Sequence, residues 1–187
     1  MSELDQRPTE NGVAFREFAK IGRLNREVIV TEKIDGTNGC VVVTEDGCVS
    51  AQSRSQIITP ANDNFGFARW VFENEAELAK LGPGYHYGEW WGAGIQRRYG
   101  LTEKRFSLFN VHRWGENRPA CCHVVPVITR GIGFGCVVEA LETLRAGGSI
   151  AAPGFMKPEG VVAFHTQANV LFKVTLEKDE EWKGKSK

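Results

Sequence analysis

Apolar and polar positions alternate in short blocks along most of this chain, and the blocks predict more strands than helices. Residues 27–34 read Glu-Val-Ile-Val-Thr-Glu-Lys-Ile, a β-branched run that favours a strand. A second apolar run covers 39–43, and Glu45-Asp46-Gly47 is a turn signal before a third at 48–52, so the three are expected to form an antiparallel meander. From about 64 to 81 the period lengthens. Phe65, Ala68, Phe72, Ala76 and Ala79 recur at the spacing of one helix face, and Gly82-Pro83-Gly84 stops the pattern. Strands are expected again at 85–91 and 106–112. A helix follows over 137–145, with Val137, Val138, Leu141 and Leu144 inward and Gly147-Gly148 at its end. Residues 160–165 and 170–176 read as two more strands, and the mixed charges from Glu177 onward as a solvated end. No repeat or linker interrupts the order. The pattern predicts an α+β fold of mainly antiparallel sheets flanked by a few helices.

Composition narrows the class. At 187 residues a single domain spanning 1–187 is expected, long enough to bury a core without disulfides. Hydrophobic residues make up 42% and charged residues 25%, which describes a globular chain rather than a disordered one. Lys plus Arg equals Asp plus Glu at 23 each, so bulk positive charge does not hold a nucleic acid, although a local basic cleft still can. The five cysteines are odd in number and irregularly placed, as expected of reduced thiols in a cytoplasmic chain. Cys121-Cys122-His123 lacks the two-to-four-residue spacing that lets zinc ligands turn around an ion. The start is polar and no run approaches the ~20 apolar residues of a membrane span, so neither a signal peptide nor a membrane association is expected.

The sharpest local feature is Glu32-Lys33-Ile34-Asp35-Gly36-Thr37-Asn38, which sets an amine and a carboxylate at the end of an apolar strand, with a glycine for close backbone approach. Other chemistry-bearing groups follow at intervals. Arg54 stands between two serines, Glu89 lies in Tyr87-Gly88-Glu89-Trp90, and Phe109 belongs to an alternating aromatic run. Glu159 begins one apolar strand and Lys173 sits within another. Charges inside apolar strands are costly to bury unless paired or used, so Lys33, Glu159 and Lys173 call for a common partner. Taken singly, each has a plain structural explanation, as a turn former, a strand-end acid or a core aromatic. In order, they form a set.

That ordered set resembles the covalent nucleotidyltransferase superfamily of polynucleotide ligases and mRNA capping enzymes, over residues 28–176. Within it the chain looks most like phage-type RNA ligases of the second, nick-sealing kind, because of the Glu-Lys-x-Asp-Gly-x-Asn run and Gly88-Glu89-Trp90-Trp91-Gly92-Ala93-Gly94-Ile95-Gln96. The resemblance implies a catalytic domain with a central nucleotide cleft, similar to that of ligases and capping enzymes. It implies an ATP-dependent RNA ligase in the cytoplasm that joins 5′-phosphate and 3′-hydroxyl RNA ends, in a nicked duplex, through lysyl-AMP and RNA-adenylate intermediates. In that scheme Lys33 is the nucleophile, and Asp35 and Asn38 serve AMP transfer and sealing. Arg54 contacts the ribose or RNA terminus, Glu89 the ribose hydroxyls, and Phe109 stacks on adenine. Glu159 helps hold Mg2+ or Mn2+, Lys173 contacts the α-phosphate, and Glu32 lies beside the base and sugar. A second ammonium group near the first also favours a free amine, so Lys173 is expected to assist the nucleophile as well as hold phosphate.

Two features depart from that pattern. The last motif of these ligases has two lysines separated by one residue, and here Thr175 takes the second place. The residues after Leu176 are too few for an OB-fold or RNA-binding domain, so a stand-alone module is expected, with a protein partner as one source of RNA grip. Three alternatives stay open: a DNA ligase, a GTP-dependent capping-type enzyme, and a non-catalytic relative that binds nucleotides or RNA ends. Gln96-Arg97-Arg98-Tyr99 reads equally as an RNA-phosphate contact or a solvated loop, and Trp90 and Trp91 as one core and one cleft residue. The four histidines share no spacing and receive no role.

Overall fold

A computed structural model describes residues 16–177; the charged end beyond Glu177 lies outside them. The fold is α+β with mainly antiparallel strands, as the hydrophobic pattern predicts. Among the described residues, ten strands build two sheets. The first sheet has the order β10-β9-β1-β8, from Val170–Thr175, Gly160–His165, Glu27–Lys33 and Val127–Ile132. The second has the order β4-β3-β2-β5-β6-β7, from Ile57–Ile58, Val49–Ser53, Thr37–Val43, Gly84–Gly92, Lys104–Leu108 and Cys122–Val124. All pairings are antiparallel except β6 with β7, which run parallel.

Each sheet buries one face under a helix. Helix α3, Gly135–Gly147, sets Cys136, Val137, Ala140, Leu141 and Leu144 against Val28, Val30, Val161 and Ala163 of the first sheet. Helix α1, Phe67–Glu73, packs Phe67, Ala68 and Val71 on Val41, Val43, Trp90 and Phe106 of the second. A third cluster of Ile34, Trp91, Tyr99, Val125 and Ala152 joins the two halves.

Several elements differ from expectation. The helix expected over 64–81 is divided into α1, a short α2 at Glu75–Leu78 and a 3-10 turn at Ala79–Leu81. The Asp63 carboxylate accepts hydrogen bonds from the amides of Ala68 (2.7 Å) and Arg69 (3.2 Å), which starts α1 late, and Asn74 interrupts it. The inward face shifts with that start: Phe67, Val71, Leu78 and Leu81 are buried, while Phe65 and Phe72 are exposed. In α3, Val138 is exposed rather than inward, because Cys136 and Ala140 complete the apolar stripe. Trp90 and Trp91 are both core residues, on opposite faces of β5. Strands β4, β7 and β8 lacked a clear apolar alternation and were not predicted.

Candidate active site

Strand alternation decides which charges meet. Along β1, Val28 and Val30 face α3, so Ile29, Thr31 and Lys33 face the opposite side. Lys33 pairs in register with Gly160 of β9, and the residue before that glycine is Glu159. The two side chains meet there: Lys33 Nζ donates to Glu159 Oε2 at 2.6 Å, both being partly shielded from solvent. Gly160 has φ +155°, and an added Cβ would lie 2.1 Å from the Val174 carbonyl oxygen, so only glycine lets β10 approach this point.

The turn from β1 to β2 is clamped from several directions. Gly36 lies against β5, where a Cβ would sit 2.4 Å from the Trp90 carbonyl oxygen. Its amide donates to Glu89 Oε1 at 3.1 Å, and Asn38 Nδ2 donates to Glu89 Oε2 at 3.2 Å. Burial pushes the Glu89 carboxyl up to about 7, against the opposing field of the Lys33 ammonium. Asp35 donates its amide to the Tyr99 hydroxyl at 2.8 Å, and its carboxylate accepts from Arg97 Nε at 3.1 Å. Lys33 therefore sits beside a fixed backbone turn, with Glu159 on its amine and the Glu89 carboxyl within electrostatic reach.

The expected residues separate into those that converge and those that do not. Lys33, Asp35, Asn38, Glu89 and Glu159 converge. Phe109 follows β6 in the row of Ser107, which pairs with Glu89, and its amide donates to the Tyr87 carbonyl. It is 41% exposed. Arg54 is exposed at the end of β3, next in line to the Gly39–Ser53 pair. Lys173 pairs with Val162, which pairs with Thr31, and Thr175 with Gly160, so both lie on the Lys33 face of the sheet. At about 5 Å per strand, Thr175 is roughly 10 Å from Lys33 and Lys173 somewhat farther. Lys173 is exposed on an edge strand. The Lys33 amine rests on Glu159, and Lys173 lies two strands away on the same face of the sheet. The Thr175 hydroxyl donates to the Glu177 carbonyl at 2.8 Å.

Glu32 behaves differently from the expectation that it lies beside base and sugar. It points to the α3 side, where it is 1% exposed. Its carboxylate accepts from the Ser149 hydroxyl at 2.6 Å and from the Ile150 and Ala151 amides at 2.8 Å each. Alternation alone sends its side chain away from that of Lys33. Sequence reasoning also missed Arg97 and Tyr99 as parts of the site. The available signal was the glycine-bracketed run from Gly92 to Gly100, which needs anchoring side chains to hold a turn against a strand end.

A family model described as RNA ligase matches residues 26–175, from the start of β1 to the end of β10. The chain belongs to the RNA ligase family. Comparison with curated proteins gives no match. Among solved structures, the RNA ligase of Naegleria gruberi with pyrophosphate is 22% identical, at a TM-score of 0.60. A mutant of that enzyme with ATP and Mn is 20% identical at 0.60, and another with AMP and Mn 20% identical at 0.58. Each alignment covers 81% of this chain and 49–50% of the other, so this chain spans about half the length of those enzymes, and at these identities the likeness is one of fold.

Proposed function

We propose that this chain carries the adenylyltransferase unit of an ATP-dependent RNA ligase, acting through a covalent lysyl-AMP at Lys33. The observation that carries the proposal is the Lys33–Glu159 pair at the end of β1, in a chain of the RNA ligase family, with Glu89, Asn38 and Phe109 lining the adjoining face. ATP as substrate fits what those groups offer. Phe109 presents a free ring for the base, Glu89 and Asn38 present hydrogen-bonding groups for the ribose, and Lys33 and Lys173 present ammonium groups for phosphate. Arg54 stands at the rim for the sugar or the RNA terminus.

The first step forms a P–N bond between the free Lys33 amine and the α-phosphorus and breaks the α–β P–O bond, releasing pyrophosphate. A 5′-phosphate oxygen of RNA then attacks the same phosphorus and breaks the P–N bond, and a 3′-hydroxyl finally displaces AMP to form the phosphodiester. Attack requires the amine to give up its proton, and the Glu159 contact at 2.6 Å holds that amine in place at the end of β1. Magnesium or manganese bound by Glu159 and phosphate oxygens would spread the charge that builds on the phosphates, and ions of this kind need only one or two protein carboxylates. Asp35 and Asn38 hold the turn that aims the amine and are the groups assigned to transfer and sealing. The substrate is read as a nicked RNA duplex with 5′-phosphate and 3′-hydroxyl ends, gripped in part by a protein partner, in the cytoplasm.

Incubation with α-labelled ATP and magnesium, followed by addition of nicked RNA, tests this. The protein is expected to take up label and pass it to the 5′-phosphate strand. Binding of ATP without label transfer would favour a non-catalytic relative, and preference for GTP or a DNA nick would favour a capping-type or DNA-joining enzyme.

A further inference from the structure

We infer that Arg97 and Tyr99 are positioning residues that set the direction of Lys33 attack by tying the β1–β2 turn to the segment carrying Glu159. This deepens the adenylyltransferase reading and rests on it. The Arg97 guanidinium is spent on three distant parts of the chain. Nε donates to Asp35 Oδ2 at 3.1 Å, Nη1 donates to the Lys157 carbonyl at 3.1 Å, and Nη2 lies 3.6 Å from Glu177 Oε2. Asp35 is two residues after Lys33, Lys157 two before Glu159, and Glu177 two after Thr175, so one planar fork meets the three segments that build the site. The Glu177 carboxylate is largely solvated and adds least. The Nε and Nη1 bonds thus tie Arg97 to the turn and to the segment before Glu159.

Tyr99 fixes the same turn from below. Its ring is buried between Trp91 (centroids 5.0 Å apart) and Phe155 (4.7 Å), and its hydroxyl accepts the Asp35 amide at 2.8 Å. The loop that delivers both residues is not relaxed. Gln96, Arg98 and Tyr99 have φ of +42°, +60° and +50°, a left-handed backbone that residues with a Cβ rarely adopt. Such conformations persist only where the surroundings over-determine them, and they concentrate at functional sites. Fully buried Ile95 anchors the start of the loop. The strained backbone therefore points Arg97 at the turn, and Glu159 and Lys33 are held at the separation their ion pair requires.

The test combines a rate with a measurement independent of activity. In Arg97→Ala, adenylylation at saturating ATP is expected to slow by about 100-fold, the scale that small misplacements of reacting groups produce, with KM for ATP within about threefold of the unchanged protein. Arg97→Lys, which keeps the charge and one contact, is expected to recover about a tenth or more of the rate. Tyr99→Phe, which keeps the buried ring, removes only the hydroxyl and is expected to slow the reaction without a rise in KM. In parallel, amide hydrogen exchange at Asp35 and Gly36 should quicken by at least about tenfold in both Arg97→Ala and Tyr99→Phe, while exchange in α3 stays constant. An unchanged rate in Arg97→Ala, a rise in KM alone, or constant exchange at Asp35 would overturn the inference. Should the unmodified protein form no adduct, the adenylyltransferase reading falls, and the exchange measurement still decides whether these two residues hold the turn.

Discussion

Glu32 separates a structural from a ligand-binding role more sharply than any other residue near Lys33. Its carboxylate accepts three hydrogen bonds, from Ser149 Oγ at 2.6 Å and from the amides of Ile150 and Ala151 at 2.8 Å. Glu32→Ala strands all three donors. Hydrogen bonds to a charged group contribute about 1.5–3 kcal/mol each. Two corrections lower that sum: the desolvation of the carboxylate is recovered on its removal, and Ile150 is 44% exposed, so water reaches that end of the segment. A net loss of about 3 kcal/mol remains. For a domain of this size, roughly 2–4 °C of Tm accompanies each kcal/mol, giving a fall of about 6–12 °C. Glu32→Gln is milder, about 1–2 kcal/mol, because one amide oxygen still receives the backbone donors and the Ser149 hydroxyl can rotate to accept from the new NH2. Thermal unfolding monitored by circular dichroism, with and without ATP, measures both effects. If Glu32→Ala leaves Tm within about 2 °C while ATP affinity drops tenfold, the assignment of Glu32 to the 149–151 segment is wrong and a nucleotide contact is right.

Further outcomes follow from the same geometry. The Glu89 carboxyl is raised from its ordinary 4.5 to about 7, so the folded state keeps a proton that the unfolded chain has lost between those values. Stability from this group therefore falls as pH rises through that window, by about 3 kcal/mol, and the fall should be absent in Glu89→Gln when urea unfolding is followed from pH 4.5 to 7.5. Lys173→Ala, on an exposed edge position, should slow adenylylation at least about tenfold while changing stability by less than about 0.5 kcal/mol; an unaffected rate would remove Lys173 from the site. Gly36→Ala forces a Cβ to within 2.4 Å of the Trp90 carbonyl oxygen. The turn must then lift off β5, and loss of adduct formation together with a lowered Tm is the expected result.

What could be read from the residues was whatever depends on neighbours in the chain or on strand alternation. The β-branched run ending at Lys33 became β1, the turn at Asp46-Gly47 separated β2 from β3, and the apolar blocks at 160–165 and 170–176 became the paired β9 and β10. The cost of burying charge in apolar strands pointed to a common partner for Lys33, Glu159 and Lys173, and of these Lys33 and Glu159 pair with one another across 126 residues. What was not legible depends on contacts with no local trace. Asp63 shifts the start of α1 and rotates its buried face, a capping effect that overrides the periodicity of Phe65 and Phe72. Glu32 is satisfied by a segment 117 to 119 residues away, and Asp35 by Arg97 and Tyr99 more than 60 residues on. Strand β7 pairs parallel to β6 through only three residues, too short a run to announce itself.

The most direct measurement is the intact mass of the protein after incubation with ATP and magnesium, followed by peptide mapping of the product. The account predicts a gain of one AMP, carried by the peptide containing Lys33 and absent from Lys33→Ala. A protein that stays at its original mass, or that carries the nucleotide on any other residue, contradicts it.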